Sequence, residues 1–359
     1  MVDITPRALY NGLKKKGENS VKRRIFAVIL IFSTLLSIFS CEKSIEKKKK
    51  TLSFLYFDAP VTIHDYSGLS KKEFAGLVTK IEDTLFEYHK LYDIYTEYEG
   101  TVNLATLNKM AGKGAVKVDK KIVDLLLFAK EMYTLTGGEV NIAMGSVLKI
   151  WHKYREEKVS VPTMDELRSA AEHTDIEKIV IDEEKLTVEL LDPEMSIDVG
   201  AVAKGYAAEM LAASLEERGY SGIMLDVGRN LRAVGTKPDG TGWQVGVVNP
   251  NLYSSEAYVH YTELISGAIV TSGSYERRYN VGGKDYHHII DKDTLMPVDY
   301  YASVSIECGS SALADALSTA IFNMTPDEAY AFVKTLVGVK VVFVYGDGRV
   351  EVVGERIYN

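Results

Sequence analysis

Three short stretches carry residue types at spacings suited to phosphate chemistry. SIDVGAVAKGYAAEML (196–211) begins like a strand and ends like a helix. Asp198 stands where the strand stops, and Lys204 follows six residues later in the helix's first turn. The positive end of the helix dipole opposes a cation there, whereas the free N–H groups of the same turn offer a seat for an anion. Spacing leaves two readings open. Either Lys204 is a surface lysine and Asp198 caps the helix, or Lys204 and the helix N-terminus clamp a diphosphate while Asp198 binds a polar group of the same ligand. In ADALSTAIFNM (314–324), Asp315 and Thr319 lie four apart and share one helical face. A carboxylate with a hydroxyl suits Mg²⁺, which takes oxygen ligands and keeps room for substrate phosphates; the alternative is an acid that only stabilises the macrodipole. In YHHIIDKDTLMP (286–297), His287 and His288 are adjacent on an expected strand, so one would point inward and the other to solvent. An inward His288 beside a phosphate could act as a general base, and a structural histidine is the other reading.

These residues need a scaffold, and the apolar spacing predicts one. Residues 52–64 read as a strand or bent pair of strands. Helices are expected at 71–93, with Phe74, Leu77, Ile81, Leu85 and Tyr88 on one side, and at 102–110, 121–138, 164–173 and 201–218. Residues 176–191 read as a hairpin turning near Glu183 and Glu184. Strands are expected at 223–228, 243–249, 268–273, 286–291 and 303–307, then helices at 312–323 and 326–336 and a closing hairpin at 339–353. Hairpins mixed irregularly with helices imply α+β, with mainly antiparallel sheets and packed helices in a single two-lobed domain over 52–359.

The start of the chain reads differently. Lys22, Arg23 and Arg24 precede the uncharged run from Ile25 to Ser40, and Cys41 follows. A basic start and an apolar run short for a membrane span make a signal peptide, with an uncleaved anchor as the alternative. The cysteine after the break points to a bacterial lipoprotein, lipidated at Cys41 and tethered to the cell membrane on its periplasmic side through a charged linker at 42–51. Cys308 is the only other cysteine, so lipidation at Cys41 precludes a structural disulfide within the chain and cysteine-rich metal sites. The formal charge is −8; removing residues 1–41 takes away seven Lys/Arg and two Asp/Glu and leaves −13. So acidic a domain excludes nucleic acid as a partner, because phosphate contacts need a basic surface.

Together the blocks resemble the ApbE family of FAD:protein FMN transferases. DVGAVAKGYA matches its D-x-G-A-x-x-K-G-Y-A signature. VTSGSYERRY (270–279), HHIID (287–291) and ADALSTA (314–320) match its T-S-G-x-Y-x-R, H-I-I-D and A-D-A-x-S-T segments. LATLN and GWQVGVVNP are weaker echoes. The resemblance implies an ApbE-like (T-fold-like) domain that cuts FAD with Mg²⁺, passes FMN to a threonine of a target redox protein and releases AMP. Acceptors of this kind are subunits of Na⁺-translocating NADH:quinone reductase or Rnf-type complexes. It also implies that Asp198 and Lys204 contact FAD, and that Asp315, Thr319 and the Ala201 carbonyl hold Mg²⁺. By the same resemblance, Phe57, Tyr98, Glu139, Val140, Asn141 and Ile289 border the dinucleotide, and His288 activates the attacking group, with His288 and Asp315 the catalytic pair. A FAD pyrophosphatase that releases free FMN, and a non-catalytic flavin-binding lipoprotein, are the alternatives. The chain departs from the family pattern around the flavin. Gly228–Arg229–Asn230 stands for G-G-N, Gly138–Glu139–Val140–Asn141 for G-x-F-D, Phe57–Asp58–Ala59 for M-G-T, and Asp291–Lys292–Asp293–Thr294–Leu295 for D-P-x-T-G.

Overall fold

The alternation in LSFLYFDAPVTIH resolves into a hairpin. β1 (Lys50–Tyr56) turns through Phe57 and Asp58 into β2 (Ala59–Asp65), along which Ala59, Val61 and Ile63 are buried and the residues between them more open. The computed structural model describes residues 50–357 apart from residue 252. The expected signal peptide, Cys41 and most of the linker lie outside the described residues, and Lys50 and Thr51, expected as linker, belong to β1.

The helices then follow their apolar spacing. α1 (Lys71–Tyr92) buries Leu77, Ile81, Leu85 and Tyr88, and starts on a reciprocal cap between Ser70 and Glu73. α2 (Leu104–Lys109), β3 (Val116–Lys117) and α3 (Lys120–Leu135) come next. α4 (Gly145–Glu157) was not expected; it buries Val147 and Trp151 and precedes α5 (Met164–Ala171). β4 (Ile179–Asp182) and β5 (Thr187–Leu190) form the expected hairpin, joined by β3 in the order β3-β5-β4. α6 (Ala203–Glu217) starts two residues later than expected and leads into β6 (Ile223–Val227), β7 (Asn230–Val234), β8 (Trp243–Val248), β9 (Tyr258–Leu264) and β10 (Gly267–Gly273).

The expected strand at 286–291 is corrected. Only Tyr286 is extended, at the end of β12 (Lys284–Tyr286), which pairs with β11 (Tyr279–Val281). Beyond it Asp291 accepts the Thr294 N–H and hydroxyl, each at 2.6 Å, and this turn ends the ladder except for one bridge from Ile290 to Pro297. β13 (Ser303–Cys308), α7 (Ser311–Asn323), α8 (Pro326–Val333), β14 (Lys340–Val344) and β15 (Val350–Gly354) close the chain, α8 ending three residues short of its expected end.

One eight-stranded sheet, in the order β1-β2-β6-β7-β10-β13-β14-β15, is antiparallel throughout. Helices cover one face, where Val61, Ile63 and Leu225 join the main core. The β8–β9 hairpin covers part of the other, where Trp243 and Val245 pack with Met224, Ile269 and Val342. Cover on both sides explains why every residue of β13 is buried. α7 is apolar nearly all round because it is enclosed between α6 and the sheet. A third, smaller core joins Met144, Val147 and Trp151 to Leu167, Tyr279 and Ile290.

Candidate active site

The site is built on the contact between α6 and α7. In a regular helix the Gly205 N–H would bond the carbonyl four residues back, that of Ala201. But Gly205 stands in the first turn of α6, where N–H groups have no helical partner, and it donates to Asp315 Oδ2 at 2.8 Å; the Ala201 carbonyl lies before the Val202 N-cap, outside the helical ladder. Lys204 Nζ lies 3.7 Å from Asp315 Oδ1, with the lysine side chain 24% and the aspartate 5% exposed. Lys204 is thus not a surface lysine. Asp198 does not cap α6 either: Val202 holds the N-cap without a side-chain bond, and Asp198 Oδ1 instead accepts the Gly200 N–H at 2.8 Å.

Around this contact opens a cavity of about 1340 Å³. Its lining includes Phe57, Glu139, Val140, Asn141, Asp198, Ala201, Lys204, His288, Ile289, Asp315 and Thr319. Tyr98 is the exception among the expected residues. It is not in the lining; its hydroxyl donates to Asp93 Oδ2 at 3.0 Å, behind a residue that is, and Tyr95 faces the cavity instead. The two histidines also differ from expectation, since neither turns to solvent. His287 packs its ring edge-on to Phe322 and bonds the Val298 carbonyl at 2.8 Å, while His288 faces the cavity. Two tight turns shape the rim. Phe57 and Asp58 sit at φ +54° and +53°, and Gly228 and Arg229 at +59° and +70°, backbone that is costly for a phenylalanine or arginine. At position 228 a Cβ would lie 2.6 Å from Ala59 Cβ, so only glycine lets the two hairpins meet above Lys204.

Burial sets the electrostatics. It raises the pKa of Asp315, with Lys204 opposing, and raises that of Asp198, whose surroundings displace water although it keeps an edge on the cavity. Glu139 is also pushed up by burial, while Lys292 at 3.4 Å pulls it down. Two departures from the family pattern thereby pair with each other. The donor set at the helix contact is one buried carboxylate, one hydroxyl and one carbonyl, all hard oxygens that fit Mg²⁺. Among the described residues no three His, Cys, Asp or Glu side chains gather as a metal cage, so an ion here would be completed by ligand phosphates.

His288 is pushed down to about 3, first by burial and then by Arg277, His287, Arg155 and Lys204. The unfolded imidazole titrates near 6.5, so between these values the unfolded chain holds the extra proton. The stability that a neutral His288 confers is fully present above about pH 6.5 and lost as pH falls towards about 3. A His288→Gln variant should therefore lose less thermal midpoint between pH 7 and pH 5 than the parent. Equal losses would show that the ring does not stay neutral in the folded protein.

Several lining residues were given no role from sequence. Arg155 and His152 lie on the unexpected α4; Val147, Trp151 and Tyr154, spaced by four and three, were the signal for that helix. Arg277 falls within the T-S-G-x-Y-x-R segment without an assigned task, and Tyr95 stacks on His152 with ring centres 5.0 Å apart.

A model of the ApbE family matches residues 58–343. The chain is 32% identical over 261 residues to the FAD:protein FMN transferase of Treponema pallidum (strain Nichols), covering 69% of this chain and 72% of that one. It is 26% identical to the protein of the same name from Escherichia coli (strain K12), covering 74% and 76%. Among solved structures it is similar to the ApbE protein of Thermotoga maritima, with a TM-score of 0.74 at 27% identity over 85% of this chain and 96% of that chain. The flavin transferase ApbE of Vibrio cholerae shares the fold, with a TM-score of 0.72 at 22% identity over 86% and 97%.

Proposed function

The chain belongs to the ApbE family, and we propose on that premise that it is a FAD:protein FMN transferase. It cleaves the diphosphate of FAD and passes FMN to a threonine hydroxyl of a target protein, releasing AMP. One observation carries this reading: Asp198, Lys204, His288, Asp315 and Thr319, from three separate stretches, face one cavity. Its volume exceeds the about 300–1,000 Å³ of ordinary small-molecule sites, which leaves room for a dinucleotide and an incoming residue.

The residues divide the work. Lys204 neutralises charge on the diphosphate, and the positive end of the α6 dipole adds to it. Asp198, with one oxygen committed to Gly200, orients a polar group of the ligand. His288 is neutral and its Nδ1 is buried without a hydrogen-bond partner among the described residues, so it is ready to accept a proton. The diphosphate's anionic oxygens would offset the cations that depress His288 and make it a stronger base when the ligand is bound. The hydroxyl oxygen bonds to the FMN phosphorus and its proton passes to His288. The P–O bond to AMP breaks, and its electron pair leaves with AMP. Transfer of this kind depends on positioning and charge neutralisation. A Mg²⁺ ion held by Asp315, Thr319 and the Ala201 carbonyl would add positive charge at the diphosphate oxygens.

The basic start, apolar run and Cys41 support a lipoprotein on the periplasmic side of a bacterial cell membrane. Its acceptors would be redox subunits of the Na⁺-translocating NADH:quinone reductase or Rnf type. The test incubates the full chain in detergent with FAD and Mg²⁺, with and without a domain carrying a target threonine. AMP together with flavin fluorescence on the acceptor in a denaturing gel is the expected result. AMP with only free FMN would make it a pyrophosphatase, and no AMP would leave a flavin-binding protein.

A further inference from the structure

We propose that Arg155 and Arg277 form a two-armed phosphate grip on the cavity wall, in addition to the Lys204–Asp315 pair. The inference rests on the reading of the ligand as a dinucleotide diphosphate. Arg155 projects from the last turn of α4, and Arg277 from the segment between β10 and β11; both line the cavity. Neither forms an ion pair among the described residues, because the acids near them are engaged elsewhere. Glu276 is held by Arg229 at 2.6 Å, Asp285 by Arg278 at 3.0 Å, and Glu156 by His152 at 3.1 Å. Arg155 donates to His152 Nδ1 at 2.6 Å, and Tyr95 stacks on that ring, so its guanidinium is propped from behind. Arg277 sits at φ +42°, a backbone state disfavoured for any residue but glycine.

The two guanidiniums sense each other. Burial lowers the pKa of Arg155, and repulsion from Arg277 lowers it further. Arg155 is half-buried and Arg277 exposed at the cavity edge, and like charges gathered there raise the local potential for an anion. Glu156 and then Asp198 oppose the lowering at Arg155, but Glu156 is held by His152, and burial disfavours the charged form of Asp198 more than the nearby cations favour it. Lys204 already faces Asp315. A ligand with several oxyanion oxygens answers both forks at once, because guanidinium pairs with phosphate in bidentate fashion.

The test measures FAD binding by flavin fluorescence and inorganic pyrophosphate binding by competition, in the parent and in Arg155→Gln and Arg277→Gln. Each substitution should weaken both ligands by about tenfold, the worth of one charge-assisted contact. Arg155→Lys, which keeps the charge and loses the fork, should fall between; it and Arg277→Lys carry the test if a glutamine variant fails to fold. Unchanged FAD affinity would overturn the grip. So would weaker FAD with unchanged pyrophosphate, or a parent that pyrophosphate does not enter. The parent separates the two readings: FAD bound without AMP release overturns the transferase alone, whereas AMP release with equal affinities in parent and variants overturns the grip alone.

Discussion

Replacing Asp315 by asparagine should lower the rate of AMP release from FAD by about 10³-fold, the upper end of what one electrostatic contact to a transition state supplies. The change keeps size and shape. An amide oxygen can still accept the Gly205 N–H, now at 2.8 Å from Oδ2. What disappears is the negative charge facing Lys204 and the one carboxylate in the donor set proposed for Mg²⁺. The fold should survive, because a buried carboxylate is itself costly and its ion pair with Lys204 is loose at 3.7 Å. Lys204 retains enough exposure to be hydrated once its partner is neutral. The check is kcat for AMP release at saturating FAD and Mg²⁺, beside the thermal midpoint. A rate within tenfold of the parent would remove Asp315 from the reaction and with it the proposed ion site.

Most of the framework was legible because amphipathic periodicity marks which face of an element is buried. α1, α3 and the β14–β15 hairpin follow that rule. The site was less so. Spacing alone left Lys204 open as a surface residue and Asp198 as a cap, and only the resemblance to a family put them on one ligand. The reason is physical: Gly205 meets Asp315 across 110 residues of chain, and no local pattern encodes that contact. α4 escaped notice because its apolar stripe is narrow, little more than Val147, Trp151 and Tyr154 in a run rich in Lys149, His152, Lys153 and Arg155, and Arg155 was missed with it. Tyr98 shows the limit of carrying a position over. Its hydroxyl is drawn to Asp93, while Tyr95, three residues earlier, reaches the cavity. The pair at 287–288 shows the limit of strand alternation, since the ladder ends before it and both rings turn inward.

Gly205→Ala should reduce stability by about 2–3 kcal/mol and catalysis by about 10²-fold together, although alanine is the better helix former by about 1 kcal/mol. A Cβ built at position 205 would overlap Asp315 Cβ and the Ser311 carbonyl oxygen, and would stand 3.1 Å from Asp315 Cγ. These neighbours are backbone or the root of a side chain, so no rotamer change relieves them. α6 and α7 would have to separate, and Asp315 would then lose the Gly205 N–H that orients it. Gly76 in α1 is the control, because a Cβ there meets nothing within 4 Å, and Gly76→Ala should stabilise slightly. Urea midpoints and AMP release for the two variants decide the matter; a gain at position 205 equal to that at position 76 would show that the helices do not need this approach. The adjacency of Lys204 and Gly205 then has a mechanical cause. The residue that lets the helices touch follows by one the cation whose charge the touch delivers to Asp315, so neither can move without the other.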